Sequence, residues 1–138
     1  MRNLRIWVLC LFILLFVSGC SDRVSDVHID LGKSDIYTQD ELKAAADTIL
    51  NEIKTWDSVK TVYSISYCGD DVSTDQLAYC NSLSDKQYTQ CVVFESSFMT
   101  AGSAESGGFN PNDRYDGWRW YLAGTDGGQW DLLTWGYA

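Results

Sequence analysis

The sequence predicts an α+β domain in which one long N-terminal helix packs on a curved antiparallel sheet of about four strands, with a short second helix between strands. Three patterns support this fold class. Residues 37–56 repeat apolar side chains at helical spacing, residues 61–68 and Gln90–Thr100 alternate as strands do, and residues 118–137 have the pattern of a Trp-rich hairpin. One amphipathic helix must cover an apolar sheet face, so the helix is expected to lie across the strands.

The helix has the clearest start signal in the chain. Thr38 and Glu41 are spaced as a capping box, and Tyr37 and Leu42 occupy the two positions of a hydrophobic staple. The apolar stripe runs to Trp56 and comprises Leu42, Ala45, Ala46, Ile49, Ile53 and Trp56.

The first two strands of the predicted sheet are separated by a short helical insertion. Alternation in the first places Tyr63, Ile65 and Tyr67 on one face. Ser73 and Gln76 are spaced as a second capping box, which predicts a short helix to about Asn81. In the second strand we expect one side to face inward, namely Val92, Phe94, Ser96 and Phe98.

The hairpin provides the candidate ligand-binding residues. Symmetric pairing about Asp126 would set Leu122 opposite Trp130, Trp120 opposite Leu132 and Trp118 opposite Thr134. The other hairpin face then carries charged and aromatic side chains, with Arg119 diagonal to Asp131. This face is interpreted as the lining of a cleft formed by Arg119, Tyr121, Asp131, Trp135 and Tyr137.

The first twenty residues have the layout of a signal peptide. Arg2 and Arg5 precede an uncharged apolar run from Ile6 to Val17, which is shorter than the roughly 20 residues of a membrane-spanning helix. Val17, Ser18, Gly19 and Cys20 resemble the lipobox of bacterial lipoproteins. That resemblance implies cleavage before Cys20 and diacylation of its sulfur, which would hold the chain stably on a membrane.

These signals divide the chain into a lipoprotein signal peptide at residues 1–19, a lipidated tether at 20–35 and one α+β domain at 36–138. Val27, Ile29 and Leu31 alternate within the tether and would suit a short edge strand. His28 would then point outward, away from any nucleophile.

The cysteines beyond Cys20 are candidates for one disulfide bond. Cys68, Cys80 and Cys91 remain after the signal and the anchor are set aside, and an extracytoplasmic location permits one bridge with one thiol left over. The parity of the strands sets Cys68 and Cys91 on the same sheet face, which favours a bridge that involves Cys68. Their spacing matches no zinc site, so neither a metal nor a cofactor is predicted.

The charge of the chain limits its partners. Nineteen acidic and ten basic residues give a formal net charge of −9, and loss of Arg2 and Arg5 with the signal makes it more negative. This balance disfavours nucleic acid as a partner, because the phosphate backbone would be repelled. A membrane is therefore expected as a partner only through the lipid on Cys20.

Two resemblances extend the fold prediction. The order of one long helix followed by strands is similar to the cystatin-like or nuclear-transport-factor-like cone. The segments Val93-Phe94, Asn110-Pro111-Asn112 and Trp118-Arg119-Trp120, with the closing Trp135-Gly136-Tyr137, resemble a family of short, uncharacterised lipoproteins of Gram-positive bacteria over residues 36–137. That resemblance implies fold and location at the cell membrane, and it implies no activity.

Three functions fit these predictions. The first is a lipid-anchored, non-enzymatic module on the extracytoplasmic face of the cell membrane that binds a protein or a small ligand. The second is a small-molecule enzyme that pairs a carboxylate with a tyrosine, either Asp131 with Tyr121 or Glu95 with Tyr67. The third is a module that binds wall glycans on Trp135 and Tyr137. A single histidine in the tether excludes the common nucleophilic triads, so we name no catalytic residue.

Overall fold

The computed structural model describes residues 23–125 and 129–138 of the chain. It shows an α+β fold with a five-stranded mixed sheet. The elements are β1 (His28–Asp30), α1 (Gln39–Ile53), β2 (Val59–Tyr67), α2 (Asp70–Asp75), α3 (Leu77–Ser82), β3 (Gln90–Thr100), a 3₁₀ helix (Ala104–Gly107), β4 (Arg114–Gly124) and β5 (Asp131–Gly136).

The strands lie in the sheet in chain order. β1 runs parallel to β2, and each later strand is antiparallel to its neighbour. The predicted antiparallel sheet of about four strands is thus corrected to a mixed sheet of five, because residues assigned to the tether contribute β1. Two short helices, α2 and α3, take the place of the single short helix that was predicted. Arg23 also donates from Nε to the Val59 carbonyl at 2.6 Å, so the folded domain extends at least to residue 23.

The start of α1 follows from local hydrogen bonds. Thr38 Oγ1 accepts from the Glu41 N–H at 3.2 Å, and a Glu41 carboxylate oxygen accepts from the Thr38 N–H at 2.8 Å, so both halves of the predicted capping box form. The helix ends at Ile53, three residues before the predicted end at Trp56. The second predicted capping box is wrong, since Ser73 lies inside α2 and its hydroxyl accepts from the Val93 N–H instead.

A substitution of Thr38 by Ala is expected to lower the free energy of unfolding by about 1 kcal/mol, because it leaves the Glu41 N–H without its side-chain acceptor. Urea unfolding of Thr38→Ala against the unchanged chain measures this difference. Thr125→Ala, at an exposed threonine between β4 and β5, is the control and should change the midpoint little. Equal midpoints for the two variants would show that the cap contributes nothing.

Helices cover both faces of the sheet. α1 packs on one face, against a core that includes Val92, Phe94, Phe98 and Trp120. These side chains are all fully buried, which confirms the predicted inward side of β3. The other face holds a second, smaller core under α2 and α3, formed by Cys80, Tyr88, Cys91, Val93, Tyr121 and Ala123.

Irregular pairing changes which residues share a face. A register shift between Val62 and Ser64 places both Val62 and Ile65 in the core under α1. Tyr63, predicted to share a face with Ile65, is instead exposed. The guanidinium carbon of Arg114 lies 4.8 Å from the centroid of its ring. Strict alternation therefore failed in β2, because a bulge adds one unpaired residue to the strand.

Candidate functional site

The five predicted ligand-binding residues do not share one face of the sheet. Leu122 lies opposite Leu132 and Trp120 opposite Trp135, so the predicted pairs with Trp130, Leu132 and Thr134 are wrong. A register shift between Tyr121 and Leu122 moves Trp135 to the face of Trp120. The turn residue Asp126, about which that pairing was centred, lies outside the described residues. Trp135 contacts Trp56 and Trp120 on the α1 side, whereas Tyr121 belongs to the core under α2 and α3.

Arg119 pairs with a residue of β3 rather than with Asp131. Its Nε donates to Glu95 Oε1 at 2.9 Å, directly across the β3–β4 ladder. This hydrogen bond, more than any other cause, raises the pKa of the Arg119 guanidinium above its ordinary value. The expected diagonal contact of Arg119 with Asp131 is thus corrected to a direct cross-strand ion pair.

Asp131 is held by two donors on the connection before β3. Lys86 Nζ donates to Asp131 Oδ2 at 2.8 Å, and Tyr88 Oη donates to the same oxygen at 2.9 Å. The Lys86 bond, helped by the Tyr88 bond, holds the pKa of the Asp131 carboxyl below its ordinary value. The carboxylate is therefore ionised at neutral pH and carries no proton to donate.

Neither predicted carboxylate and tyrosine pair is present. Tyr121 packs edge to face on Tyr79, with 5.5 Å between ring centroids, while Asp131 accepts a hydrogen bond from the Tyr88 hydroxyl. Tyr67 Oη donates to Asp70 Oδ1 at 2.9 Å, away from Glu95. Burial raises the pKa of the Tyr67 hydroxyl; the hydrogen bond with Ser73 opposes this, and the neighbouring Asp70 carboxylate adds to it.

An open cavity of about 480 Å³ lies where β2, β4 and β5 meet the end of α1. Four aromatic rings form its walls, and the rest of the lining comes from the turn before β2 and the 3₁₀ connection after β3. The lining residues are Trp56, Asp57, Ser58, Ser106, Gly107, Gly108, Phe109, Trp118 and Trp135.

The aromatic walls are held by contacts among themselves. Trp56 lies 5.2 Å from Trp135 and 6.0 Å from Phe109, measured between ring centroids, and Phe109 lies 5.4 Å from Trp118. Trp56 Nε1 also donates to the Glu52 carboxylate at 3.0 Å, which fixes the orientation of this indole relative to α1. The rings are thus positioned before any ligand arrives.

Gly107 allows the 3₁₀ connection to approach β2 closely. A Cβ atom at this position would lie 2.7 Å from the Ser58 Cβ, which is too close for two carbon atoms. Any larger residue would push the connection away from Ser58 and widen the cavity. Gly107 thus serves close packing, whereas Gly108, with φ of 82°, ends the 3₁₀ helix in the left-handed conformation.

The polar rim of the cavity carries both charge signs. The Asp57 side chain is 99% exposed and its Oδ1 accepts from Arg23 Nη2 at 3.2 Å. On the opposite wall the buried Trp118 indole N–H meets no acceptor among the described residues. A ligand oxygen that reached this N–H would satisfy a donor that the described part of the protein leaves unpaired.

The three cysteines of the domain occupy two environments. Cys80 Sγ and Cys91 Sγ are both buried and lie 3.0 Å apart. Cys68 lies at the end of β2, and burial raises the pKa of its thiol to about 12. The Cys80 and Cys91 thiols are thus in contact, whereas the sequence favours a bridge that involves Cys68.

Residues 23–125 and 129–138 contain no group of three or more His, Cys, Asp or Glu side chains that could hold a metal ion. None of their helices is long and apolar enough to cross a membrane. Cys20 and the signal segment lie outside the described residues.

Sequence reasoning missed three of the four aromatic rings of the wall. The sequence places Trp56 in the helix stripe and Trp118 on the other hairpin face, and it gives no signal for Phe109. Of the predicted ligand-binding residues, Trp135 alone lines the cavity, and Tyr137 packs on Trp118 at 5.3 Å behind it. Comparison with known proteins finds no matching family model, no matching curated protein and no matching solved structure.

Proposed function

We propose that this chain is a lipoprotein, anchored by a diacylated Cys20 on the extracytoplasmic face of the cell membrane, whose domain binds a small organic ligand in the aromatic cavity. The observation that carries the binding function is the cavity itself, with three tryptophan rings and one phenylalanine ring around about 480 Å³. That volume lies within the range of small-molecule pockets in proteins. The lipobox pattern of residues 17–20 supports the anchor.

Exposure of the rings favours binding over a purely structural role. Trp120, Phe94 and Phe98 already fill the centre of the sheet face under α1, and each is fully buried. Trp135 lies beyond them and is 41% exposed. An indole left partly in water beside a cavity loses apolar burial that a ligand would restore.

A binding module fits the site better than an enzyme does. The cavity lining contains one carboxylate, Asp57, whose side chain is almost fully exposed and paired with Arg23. Acid–base catalysis in such folds uses a carboxylate whose pKa is raised by an apolar pocket. Asp131, the leading enzymatic candidate from the sequence, has a lowered pKa and lies on another surface.

The ligand class that suits this lining is a saccharide, which makes wall-glycan binding the second candidate. Sugar rings stack their apolar faces on flat indoles, here Trp135 and Trp118, while their hydroxyls bond to polar groups at the edge. Asp57 and Ser106 provide acceptors and a hydroxyl at the rim of the cavity. A net negative protein would also be repelled by anionic wall polymers, which restricts the candidate to uncharged or zwitterionic glycans.

We further propose that the domain is a cone of the cystatin-like type and that the chain is a member of the Gram-positive lipoprotein family it resembles. The position of α1 against β2 and β3 supports the cone, and the lipobox supports the family. Acyl-chain analysis of the chain expressed in a Gram-positive host tests the anchor. A protein of unprocessed mass would contradict it.

Titration of the purified chain with soluble wall-glycan fragments, followed by tryptophan fluorescence and calorimetry, tests the binding proposal. We expect Trp135→Ala to weaken binding about tenfold, because stacking on one aromatic ring contributes about 1 kcal/mol beyond its burial. Tyr79→Ala is the matched control, since Tyr79 is equally exposed but lies on α3.

An equal loss of affinity in Trp135→Ala and Tyr79→Ala would place the binding surface outside the cavity. If the unchanged chain binds no fragment, the glycan candidate fails. A pull-down from native membranes with Trp135→Ala as the comparison then decides between a small ligand and a protein partner that inserts a side chain into the cavity.

A further inference from the structure

Two buried sulfur atoms lie in contact on the α3 side of the sheet. Cys80 is on α3 and Cys91 is the second residue of β3. Their side chains are 0% and 2% exposed, and their sulfur atoms are 3.0 Å apart. A disulfide requires a separation of about 2.0 Å, so the two sulfur atoms would have to approach by about 1 Å.

We propose that Cys80 and Cys91 form a disulfide bond in the mature protein and that Cys68 remains a thiol. The pairing rests on the geometry alone. The extracytoplasmic location proposed above supplies only the oxidising compartment in which such a bond persists.

Cys68 is placed differently from the pair. Its backbone N–H donates to the Val93 carbonyl at 2.9 Å, one ladder position beyond the last paired residue of β2. Its side chain is half-buried, near Glu95 and Arg119. Burial disfavours its thiolate, the form that attacks a disulfide, so this thiol is slow to react.

The bond would form by exchange with an oxidised dithiol, the class of disulfide donor found outside the cytoplasm. The Cys80 thiolate attacks one donor sulfur, which forms a mixed disulfide and releases one donor thiol. The Cys91 thiolate then attacks the Cys80 sulfur, which breaks the mixed disulfide and releases the second donor thiol. Two protein thiols are oxidised, one donor disulfide is reduced, and both protons end on the donor.

The contact shifts the two thiol pKa values in opposite directions. A hydrogen bond from the Cys91 thiol lowers the pKa of Cys80, and the same interaction together with burial raises the pKa of Cys91. Because both sulfur atoms are buried in the native fold, we expect exchange to occur while the chain is still folding.

The bridge would close the loop that carries the Asp131 donors. Asn81 already makes two hydrogen bonds with the Tyr88 backbone. Its Nδ2 donates to the Tyr88 carbonyl at 3.1 Å, and its Oδ1 accepts from the Tyr88 N–H at 2.7 Å. A covalent link between residues 80 and 91 would fix this loop at its two ends. It would hold α3 on the second core, which lacks a long helix to cover it.

Peptide mapping tests the pairing directly. The full chain with Cys10→Ser and Cys20→Ser is refolded in detergent with oxidised glutathione, alkylated, and cut on the N-terminal side of aspartates. This cleavage places the three cysteines in separate peptides, residues 57–69, 75–84 and 85–112. We expect 75–84 linked to 85–112, with Cys68 alkylated. A link from 57–69 to either peptide, or alkylation of all three cysteines, would overturn the proposal.

Thermal unfolding provides a second readout that does not depend on mapping. Reduction should lower Tm by about 10 °C, as expected for a bridge that closes a loop of this length. The Cys68→Ser variant should retain this shift, whereas Cys80→Ser with Cys91→Ser should show none. Retention of the shift in the double variant would also reject the proposal. Both readouts are independent of ligand binding in the aromatic cavity.

Discussion

Trp120→Ala is expected to lower the free energy of unfolding by about 4 kcal/mol, the largest effect of any single substitution considered for this chain. Trp120 is fully buried at the centre of the sheet face under α1. Its ring centroid lies 5.2 Å from that of Trp56 and 5.7 Å from that of Trp135, so its removal leaves a cavity between two other indoles.

The substitution also removes a buried hydrogen bond. Trp120 Nε1 donates to Ser96 Oγ at 2.8 Å, and Ser96 is itself 2% exposed. Truncation would leave that hydroxyl with a weaker contact, at 3.4 Å to the Trp118 carbonyl. Since small domains are stable by roughly 5–15 kcal/mol, a loss of this size would leave a chain that is partly unfolded at moderate temperature.

Chemical denaturation monitored by circular dichroism measures the loss. Trp135→Ala is the matched control, since Trp135 pairs with Trp120 across the β4–β5 ladder but is 41% exposed. We expect it to cost about 1 to 2 kcal/mol, since less apolar area is removed from burial. Similar losses in the two variants would contradict the assignment of Trp120 as the centre of the core.

Local signals in the sequence predicted the parts of the fold that depend on neighbouring residues. The capping box at Thr38 and Glu41 and the inward side of β3 both appear in the structure. β3 is regular because it lies in the middle of the sheet and has a ladder partner on each side. A strand with this environment must alternate strictly to bury one face, and its sequence shows that alternation.

Bulges explain the errors in residue faces. The hairpin has an extra residue opposite the step from Tyr121 to Leu122, which moves Trp135 and Tyr137 to the α1 side. No residue type in the hairpin marks this position, because bulges depend on how both strands pack. The five residues predicted to line one cleft are consequently divided between the two faces of the sheet.

The second core could not be inferred from strand alternation alone. Cys91 and Val93 were expected to point outward, and they are buried because α2 and α3 cover that face. Each of these helices has only six residues, too few for a periodic pattern to reveal an apolar stripe. The aromatic cavity was missed for a related reason, since its walls come from four segments far apart in sequence.

Asp70→Asn is expected to lower the free energy of unfolding by about 2 kcal/mol at neutral pH, because the Asp70 carboxylate joins three segments. It accepts from Ser34 Oγ at 2.6 Å, from Tyr67 Oη at 2.9 Å and from the Asp35 N–H at 2.8 Å. An asparagine has one acceptor oxygen, so its NH₂ group, itself a donor, would face at least one of these donors.

The same hydrogen bonds predict how stability depends on pH. The Ser34 bond, followed by the Asp35 and Tyr67 bonds, holds the pKa of Asp70 below its ordinary value. A carboxyl with a lowered folded-state pKa stabilises the fold fully above its unfolded value, about 4, and loses that contribution as pH falls through the folded value. The stability difference between the unchanged chain and Asp70→Asn should therefore be constant above pH 5 and shrink below pH 4.

Asp71→Asn is the control that separates this hydrogen-bond network from simple charge. Asp71 is the next residue of the same short helix, is exposed, and carries the same charge near the same helix start. We expect urea midpoints of Asp71→Asn to follow those of the unchanged chain from pH 3 to pH 7. A parallel loss in both variants would assign the effect to charge at the start of α2, whereas a loss confined to Asp70→Asn shows that Ser34 and Tyr67 hold the approach to α1 through this carboxylate.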